Sequence, residues 1–218
     1  MKISRLILYT TNLKAQTDFY KNVLNVEVLQ ESVDTAELKF GESILEFKQN
    51  THARPYHFAI NIPSFMEAEA LTWLKQRVEI LKHHGDEIVD FVNWNAKSIY
   101  FYDKDKNIVE LIARRNLNLV FEGEFNAEQF LEISEIGLAV NEVSRVFEHL
   151  NLMDEVPLYF GNLDWFCAAG DEHGLCIIIN KNRKGWMPTD DEAFTADCMV
   201  RGDLNFNFIN GKIIDTFL

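Results

Sequence analysis

Three stretches of the chain open alike, with an alternating strand that runs into a helix-periodic segment. Ile3-Ser4-Arg5-Leu6-Ile7-Leu8 precedes residues 13–24, Tyr56-His57-Phe58-Ala59-Ile60-Asn61 precedes residues 65–81, and Ile133-Ser134-Glu135-Ile136-Gly137-Leu138 precedes residues 143–150. Strand-turn-strand units stand behind them, over residues 38–47, 99–111, 166–177 and 206–213. A unit repeated at this size points to a fold built by duplication, and it makes equivalent positions comparable between copies. The expected class is α+β, assembled from strand-helix-hairpin (βαβββ) modules. Two complete modules fill residues 1–116, and 117–132 form a connector with a short helix near 127–131. Residues 133–218 hold a third module and a curtailed fourth. In the fourth, residues 195–202 read as the first strand, but no helix-length periodic segment follows before the last hairpin.

Charge narrows the function classes. The 218 residues carry a net charge of −13, and 47% of them are hydrophobic, ample for a core. Residues 1–115 hold 15 Lys/Arg against 16 Asp/Glu, whereas residues 116–218 hold 6 against 18. Such an acidic second half argues against nucleic acid, whose phosphates need a basic surface, and against docking on an anionic membrane. No apolar run approaches the roughly 18 residues of a spanning helix, and the N-terminus lacks the apolar core of a signal peptide. Cys167, Cys176 and Cys198 form no CxxC pair and read as buried thiols. The cytoplasm is the expected compartment.

Strand parity exposes the unusual residues, because side chains two apart share a face. With Leu6 and Leu8 packed on the helices, Arg5, Ile7 and Tyr9 fall on the other face. By the same count Glu46 lies opposite Leu45 and Phe47, His57 opposite Phe58 and Ile60, and Glu110 opposite Val109 and Leu111. Polar residues thus occupy the non-helical face at equivalent places in two modules: the first strand (Arg5, His57) and the last strand (Glu46, Glu110).

Here a resemblance becomes specific. Asn12-Leu13-Lys14-Ala15-Gln16-Thr17-Asp18-Phe19-Tyr20-Lys21-Asn22-Val23-Leu24 resembles the first helix of the vicinal oxygen chelate superfamily, which includes glyoxalase I, bleomycin-resistance and fosfomycin-resistance proteins and extradiol dioxygenases. Residues 103–111 resemble that family's closing hairpin, which ends in a metal-ligating Glu. The resemblance implies modules paired into cup-shaped mixed sheets, with metal ligands projecting inward from first and last strands. Carried over in register, Glu46, His57 and Glu110 match three of four ligand positions, and the fourth is Arg5. Residues 133–218 resemble the family less, and the corresponding positions there hold Glu135 and Ile177.

Arg5 divides the functional readings, since a guanidinium offers only donors and cannot ligate a metal. In one reading Arg5 supplies the missing positive charge to Glu46 and Glu110, in a metal-free protein that encloses a small molecule; this reading takes slight precedence. In the other, Glu46, His57 and Glu110 hold one divalent ion (Zn, Mn, Fe or Ni), with Arg5 and Tyr9 turned to the substrate. Glu46 and Glu110 then also move the proton in a lyase, isomerase or dioxygenase reaction on a small oxygenated molecule. Modules pair either within the chain or across a homodimer.

Other candidates have simpler explanations. His83-His84-Gly85 reads as a helix end, and His173 as a turn residue. Asp103, Asp105 and Asn107 lack the glycine and the terminal Glu of a calcium loop and read as a hairpin. Trp165, Phe166 and Trp186 suit a pocket wall, but aromatic residues in strands are more often core. Residues 183–191 are punctuated by Gly and Pro and read as a loop. No nucleophile elbow, phosphate loop or dinucleotide fingerprint is present.

Overall fold

The computed structural model describes residues 1–216, and the repeats appear in it as modules. Module one is β1 (Ile3–Thr10), α1 (Leu13–Asp18), β2 (Val28–Glu31), β3 (Thr35–Phe40) and β4 (Ser43–Gln49). Module two is β5 (His57–Ile62), α2 (Glu67–Lys75), β6 (Ile80–Leu81), β7 (Val89–Phe91), β8 (Ala96–Tyr102) and β9 (Ile108–Arg114). Module three is β10 (Glu132–Val140), α3 (Val143–Asp154), β11 (Leu158–Asn162), β12 (Phe166–Asp171) and β13 (Gly174–Asn180). The fourth has no helix and is a meander of β14 (Cys198–Gly202), β15 (Phe206–Ile209) and β16 (Lys212–Asp215).

Helix boundaries differ from the periodic pattern for local reasons. The Asn12 side chain caps α1 by accepting from the Ala15 amide, and the segment continues as a π-helical turn over Phe19–Val23. α2 begins with Glu67 and Glu69, favourable at a helix N-terminus, after Phe65 takes a positive φ of 70°. It stops well short of residue 81, because Ile80 and Leu81 pair with Phe101 and Tyr100 of β8. Apolar residues at 78, 80 and 81 satisfy either period, and the sheet contact decides. His83-His84-Gly85 therefore form a turn after β6 and not a helix end, with positive φ at His84 and Gly85. The connector helix is a single 3-10 turn, Ala127–Gln129, closed by a capping box from Asn126.

Within each complete module the first strand pairs parallel with the last: β1 with β4, β5 with β9, β10 with β13. Between modules the first strands pair antiparallel, β5 with β10 and β1 with β14. Modules two and three therefore build one half of a continuous sheet, and modules one and four the other. The halves meet where Ile3 opposes Ile133. The sequence left the partner of module one open, as module two or another copy; in the sheet β10 stands between β1 and β5, so modules one and two do not pair through their first strands. Both pairings are made within one chain. Periodicity specifies the face a side chain takes but not which strand edge it meets, so like modules can pair in more than one way.

Modules one and two are joined instead through a buried carboxylate. Asp103, in the turn between β8 and β9, accepts from Tyr20 Oη at 2.7 Å, from Asn107 Nδ2 at 2.8 Å and from Gln16. Burial pushes its carboxyl up to about 6. Strand parity holds through the core. Leu6, Leu8, Leu45, Phe47, Phe58, Ile60, Val109, Leu111, Ile136 and Leu138 are buried with Leu13, Leu74 and Leu150 from the helices, each contributing roughly 1.5–3 kcal/mol. A second cluster, including Ala59, Tyr100, Ile112, Ala139, Ile177, Ile179 and Trp186, covers the opposite face of modules two and three. No helix among the described residues is long and apolar enough to cross a membrane.

Candidate metal centre

On that opposite face three strands bring three donors together. β5 places Ala59 beside Glu110 of β9 on one side and beside Glu135 of β10 on the other. The small alanine lets both carboxylates lean over it, and His57 lies two residues away on the same face. His57, Glu110 and Glu135 are all buried, and each offers one ligand atom within 4.8 Å of the others.

Each donor is anchored by a neighbour, and Glu110 is also contacted by Tyr100. His57 Nδ1 lies 3.2 Å from the Ile108 carbonyl, a contact that puts the ring proton on Nδ1 and leaves the Nε2 lone pair open. Glu110 Oε1 accepts from Ser98 Oγ at 2.5 Å, while its Oε2 lies 3.4 Å from His57 Nε2. Glu135 Oε1 accepts from Arg114 Nη2, and its Oε2 has no hydrogen-bond partner among the described residues. Arg114 is fully buried, with its Nε donating to Asn61 Oδ1 at 3.1 Å and its guanidinium 5.5 Å from the Trp94 ring.

The electrostatics fit a cation. Burial holds His57 down at about 4, so the ring is neutral. Burial, reinforced by the Glu135 charge, pushes Glu110 up to about 8. Burial also raises Glu135, against the pull of Arg114. The His57–Glu110 contact is accordingly not an ion pair at neutral pH. Two buried carboxylates resist ionising together, and one neutral imidazole with two carboxylate oxygens is a donor set for a borderline divalent ion. The residues present fit such an ion and leave coordination positions open.

The donors lie at the wall of a cavity of about 480 Å³. Phe91, Trp94, Tyr100, Phe160, Trp165 and Phe166 are among its lining residues, so Trp165, Phe166 and Trp186 line a pocket rather than simply filling core. Trp186 stacks on His57 with ring centroids 5.2 Å apart. It fits because residue 137 is Gly: a Cβ there would stand 2.6 Å from the Trp186 ring. Ile177 occupies the place in β13 that Glu110 occupies in β9, and it also lines the cavity.

The structure thus brings His57 and Glu110 together and places Glu46 elsewhere. Arg5 and Glu46 do meet on β1 and β4, as their shared parity requires, but in the other half of the sheet. Arg5 Nη1 donates to Glu46 Oε2 at 2.6 Å and to Glu37 Oε1 at 2.7 Å, and Lys48 Nζ lies 3.3 Å from Glu46. Arg5 therefore does not neutralise Glu110, and its side chain is 30% exposed. Tyr9 lies beside a separate small cavity with Arg54, Tyr56 and Asp197. Glu135 was visible in the sequence as the module-three equivalent of His57. Arg114 was overlooked, although it sits at the same parity as Glu110 in an otherwise apolar strand. His173 is bound to Glu132 through Nδ1 at 2.7 Å.

No family model matches the chain. The metallothiol transferase FosB of Staphylococcus epidermidis is 29% identical over 117 residues, covering 50% of this chain and 79% of that protein. Among solved structures, a putative dioxygenase from Bacillus subtilis superposes with a TM-score of 0.61 at 15% identity, covering 82% of this chain and 63% of that one. Glyoxalase I from Zea mays gives 0.55 at 16% identity, covering 81% and 66%. This chain spans just under two thirds of the length of both. With its module topology, these matches show that the chain shares the paired βαβββ-module fold of the putative dioxygenase and of glyoxalase I.

Proposed function

We propose that the chain is a metal-dependent enzyme, a lyase, isomerase or dioxygenase acting on a small oxygenated molecule in the cavity between modules two and three. The observation that carries this reading is the anchored donor set: His57, Glu110 and Glu135 each bring one ligand atom within 4.8 Å of the others, while the Ile108 carbonyl, Ser98 and Arg114 hold the three side chains in place. Such anchoring fixes ring orientation and carboxylate rotamer before a ligand arrives. When bound, a divalent ion (Zn, Mn, Fe or Ni) supplies a Lewis acid that stabilises negative charge developing on a substrate oxygen.

The chain's own residues do the rest. Ser98 and Arg114 fix the orientation of the two carboxylates, and the aromatic walls exclude water from the substrate body. Glu110 Oε2 is the position best suited to take or hold a proton, because burial and Glu135 bring its affinity for one close to neutral pH. The metal-free reading, with Arg5 as the stand-in cation, loses its ground because Arg5 lies in the other half of the sheet. Thermal melts of chelator-treated protein test the proposal. Adding Zn, Mn, Fe or Ni is expected to raise the melting temperature of the wild type and not of Glu135→Gln. A wild type indifferent to all four ions contradicts the reading.

A further inference from the structure

Lys184 has no carboxylate within ion-pair distance among the described residues, Asp190 acting on it only from farther away, in a chain that has 34 acidic residues for 21 basic ones. It lines the same cavity as His57, Glu110 and Glu135. Its Nζ stands 4.5 Å from the Phe166 ring centroid and 5.4 Å from that of Trp165. Among the described residues that Nζ makes no hydrogen bond and no ion pair. Two aromatic faces therefore hold the ammonium at the cavity wall without satisfying any of its three N–H donors.

The loop that carries Lys184 is pinned on both sides. Lys181 Nζ donates to Thr195 Oγ1 at 2.9 Å, the Trp186 amide to the Asp191 carbonyl at 2.9 Å, and Tyr102 Oη to Asp191 Oδ2 at 2.6 Å. The backbone that carries Lys184 is thus held against the sheet. Burial lowers the proton affinity of the Lys184 amine, an effect that a bound anion would reverse. The remaining wall is largely aromatic, with Phe91 and Trp94 from module two meeting Phe160 and Phe166 from module three, Trp94 edge to face with Phe160 at 5.8 Å. Planar rings of this kind enclose a planar apolar body.

We propose that Lys184 recognises a carboxylate carried on an aryl body, so that the cavity takes aryl carboxylates in preference to neutral aryl compounds. This rests on the reading of the cavity as the working site, but its recognition step does not require the ion. A single negative charge suits a single ammonium, and a charge-assisted hydrogen bond in a partly desolvated site discriminates strongly against a neutral isostere.

The test is calorimetric titration of the full chain with 2-naphthoate and with neutral 2-naphthalenemethanol, each with EDTA and again with added Mn or Zn. Wild type is expected to bind the naphthoate roughly tenfold more tightly than the alcohol under both conditions. Lys184→Gln is expected to bring the two within about twofold, and Lys184→Arg to restore the preference. Equal affinities in the wild type, no binding of naphthoate, or a preference that survives Lys184→Gln would each overturn the proposal. A preference that appears only with the ion and ignores Lys184 also overturns it, by giving the carboxylate to the metal. Failure of the metal reading shows separately, as ions without effect on stability while the Lys184-dependent preference persists in EDTA.

Discussion

Arg114 holds Oε1 of Glu135 and leaves Oε2 of the same carboxylate without a protein partner. The pair is buried on both sides, Arg114 completely, so neither charge is compensated by water. Removing the cation leaves Glu135 facing Glu110 alone. Arg114→Ala is expected to destabilise the fold by about 3–5 kcal/mol, the usual loss when one partner of a buried pair is removed. Arg5→Ala, which breaks a part-exposed pair, is expected to lose about 1 kcal/mol. Urea melts of the two variants check the contrast, and equal losses would contradict the assignment of the buried charge centre to Arg114.

The pH dependence of metal-free protein follows from four buried groups, Glu110, Glu135, His57 and Asp103, with burial raising Glu135 in the same sense as Glu110. Glu110 is raised from 4.5 to about 8, so between those values the folded state holds a proton that the unfolded chain has released. Its contribution therefore falls as pH rises through that window and is gone above it. His57 is lowered from 6.5 to about 4 and acts in the opposite sense, adding stability as pH rises from 4 to 6.5. Asp103, raised from 3.8 to about 6, loses its contribution below the window that matters here. From 6.5 to 8 the Glu110–Glu135 pair dominates, because His57 and Asp103 have completed their titration. Stability of EDTA-treated protein is expected to fall across that interval by up to about 1.4 kcal/mol per pH unit. Glu110→Gln should flatten the profile, and urea midpoints that fall just as steeply in this variant would refute the assignment.

Gly137→Ala tests the seat of Trp186. The added methyl would lie 2.6 Å from the indole, and 3.1 Å from the His57 carbonyl, so the ring must leave its place. Overpacking of this kind costs about 1–3 kcal/mol. A red-shifted tryptophan emission is expected alongside the lowered urea midpoint. Unchanged emission would mean that Trp186 does not depend on the missing side chain.

Ile177→His places a fourth donor, a second imidazole nitrogen, at the position equivalent to Glu110. A fourth protein ligand is expected to tighten zinc binding at least roughly tenfold and to close one open coordination position. Competition with a chromophoric chelator reads the affinity directly. No gain in affinity would show that the module-three position does not face the donor set.

Much of this was legible in the sequence, and the limits were physical. Parity along β5 and β9 put His57 and Glu110 on the non-helical face, and the same count put Arg5 and Glu46 there too. What parity lacks is the identity of the neighbouring strand. All four first strands present similar edges, and their pairing is settled by contacts between residues as distant as Ala59 and Glu135. Hence Glu46 was grouped with His57, and Glu135 was noted as equivalent without being joined to it. Arg114 carried a readable signal, a charge four residues beyond Glu110 in an apolar strand. Lys184 carried none, because its place depends on how the loop over residues 181–191 folds back on the sheet. The buried role of Asp103 was hidden for the same reason: its partners Gln16 and Tyr20 come from another module.

Metal content of protein purified without chelator tests the central claim most directly, if wild type, Glu46→Gln and Glu135→Gln are measured side by side. Wild type and Glu46→Gln are expected to carry about one equivalent of a divalent transition metal, and Glu135→Gln less than about 0.1. Metal lost from Glu46→Gln and kept by Glu135→Gln, or a wild type that binds none, would contradict a centre built by modules two and three.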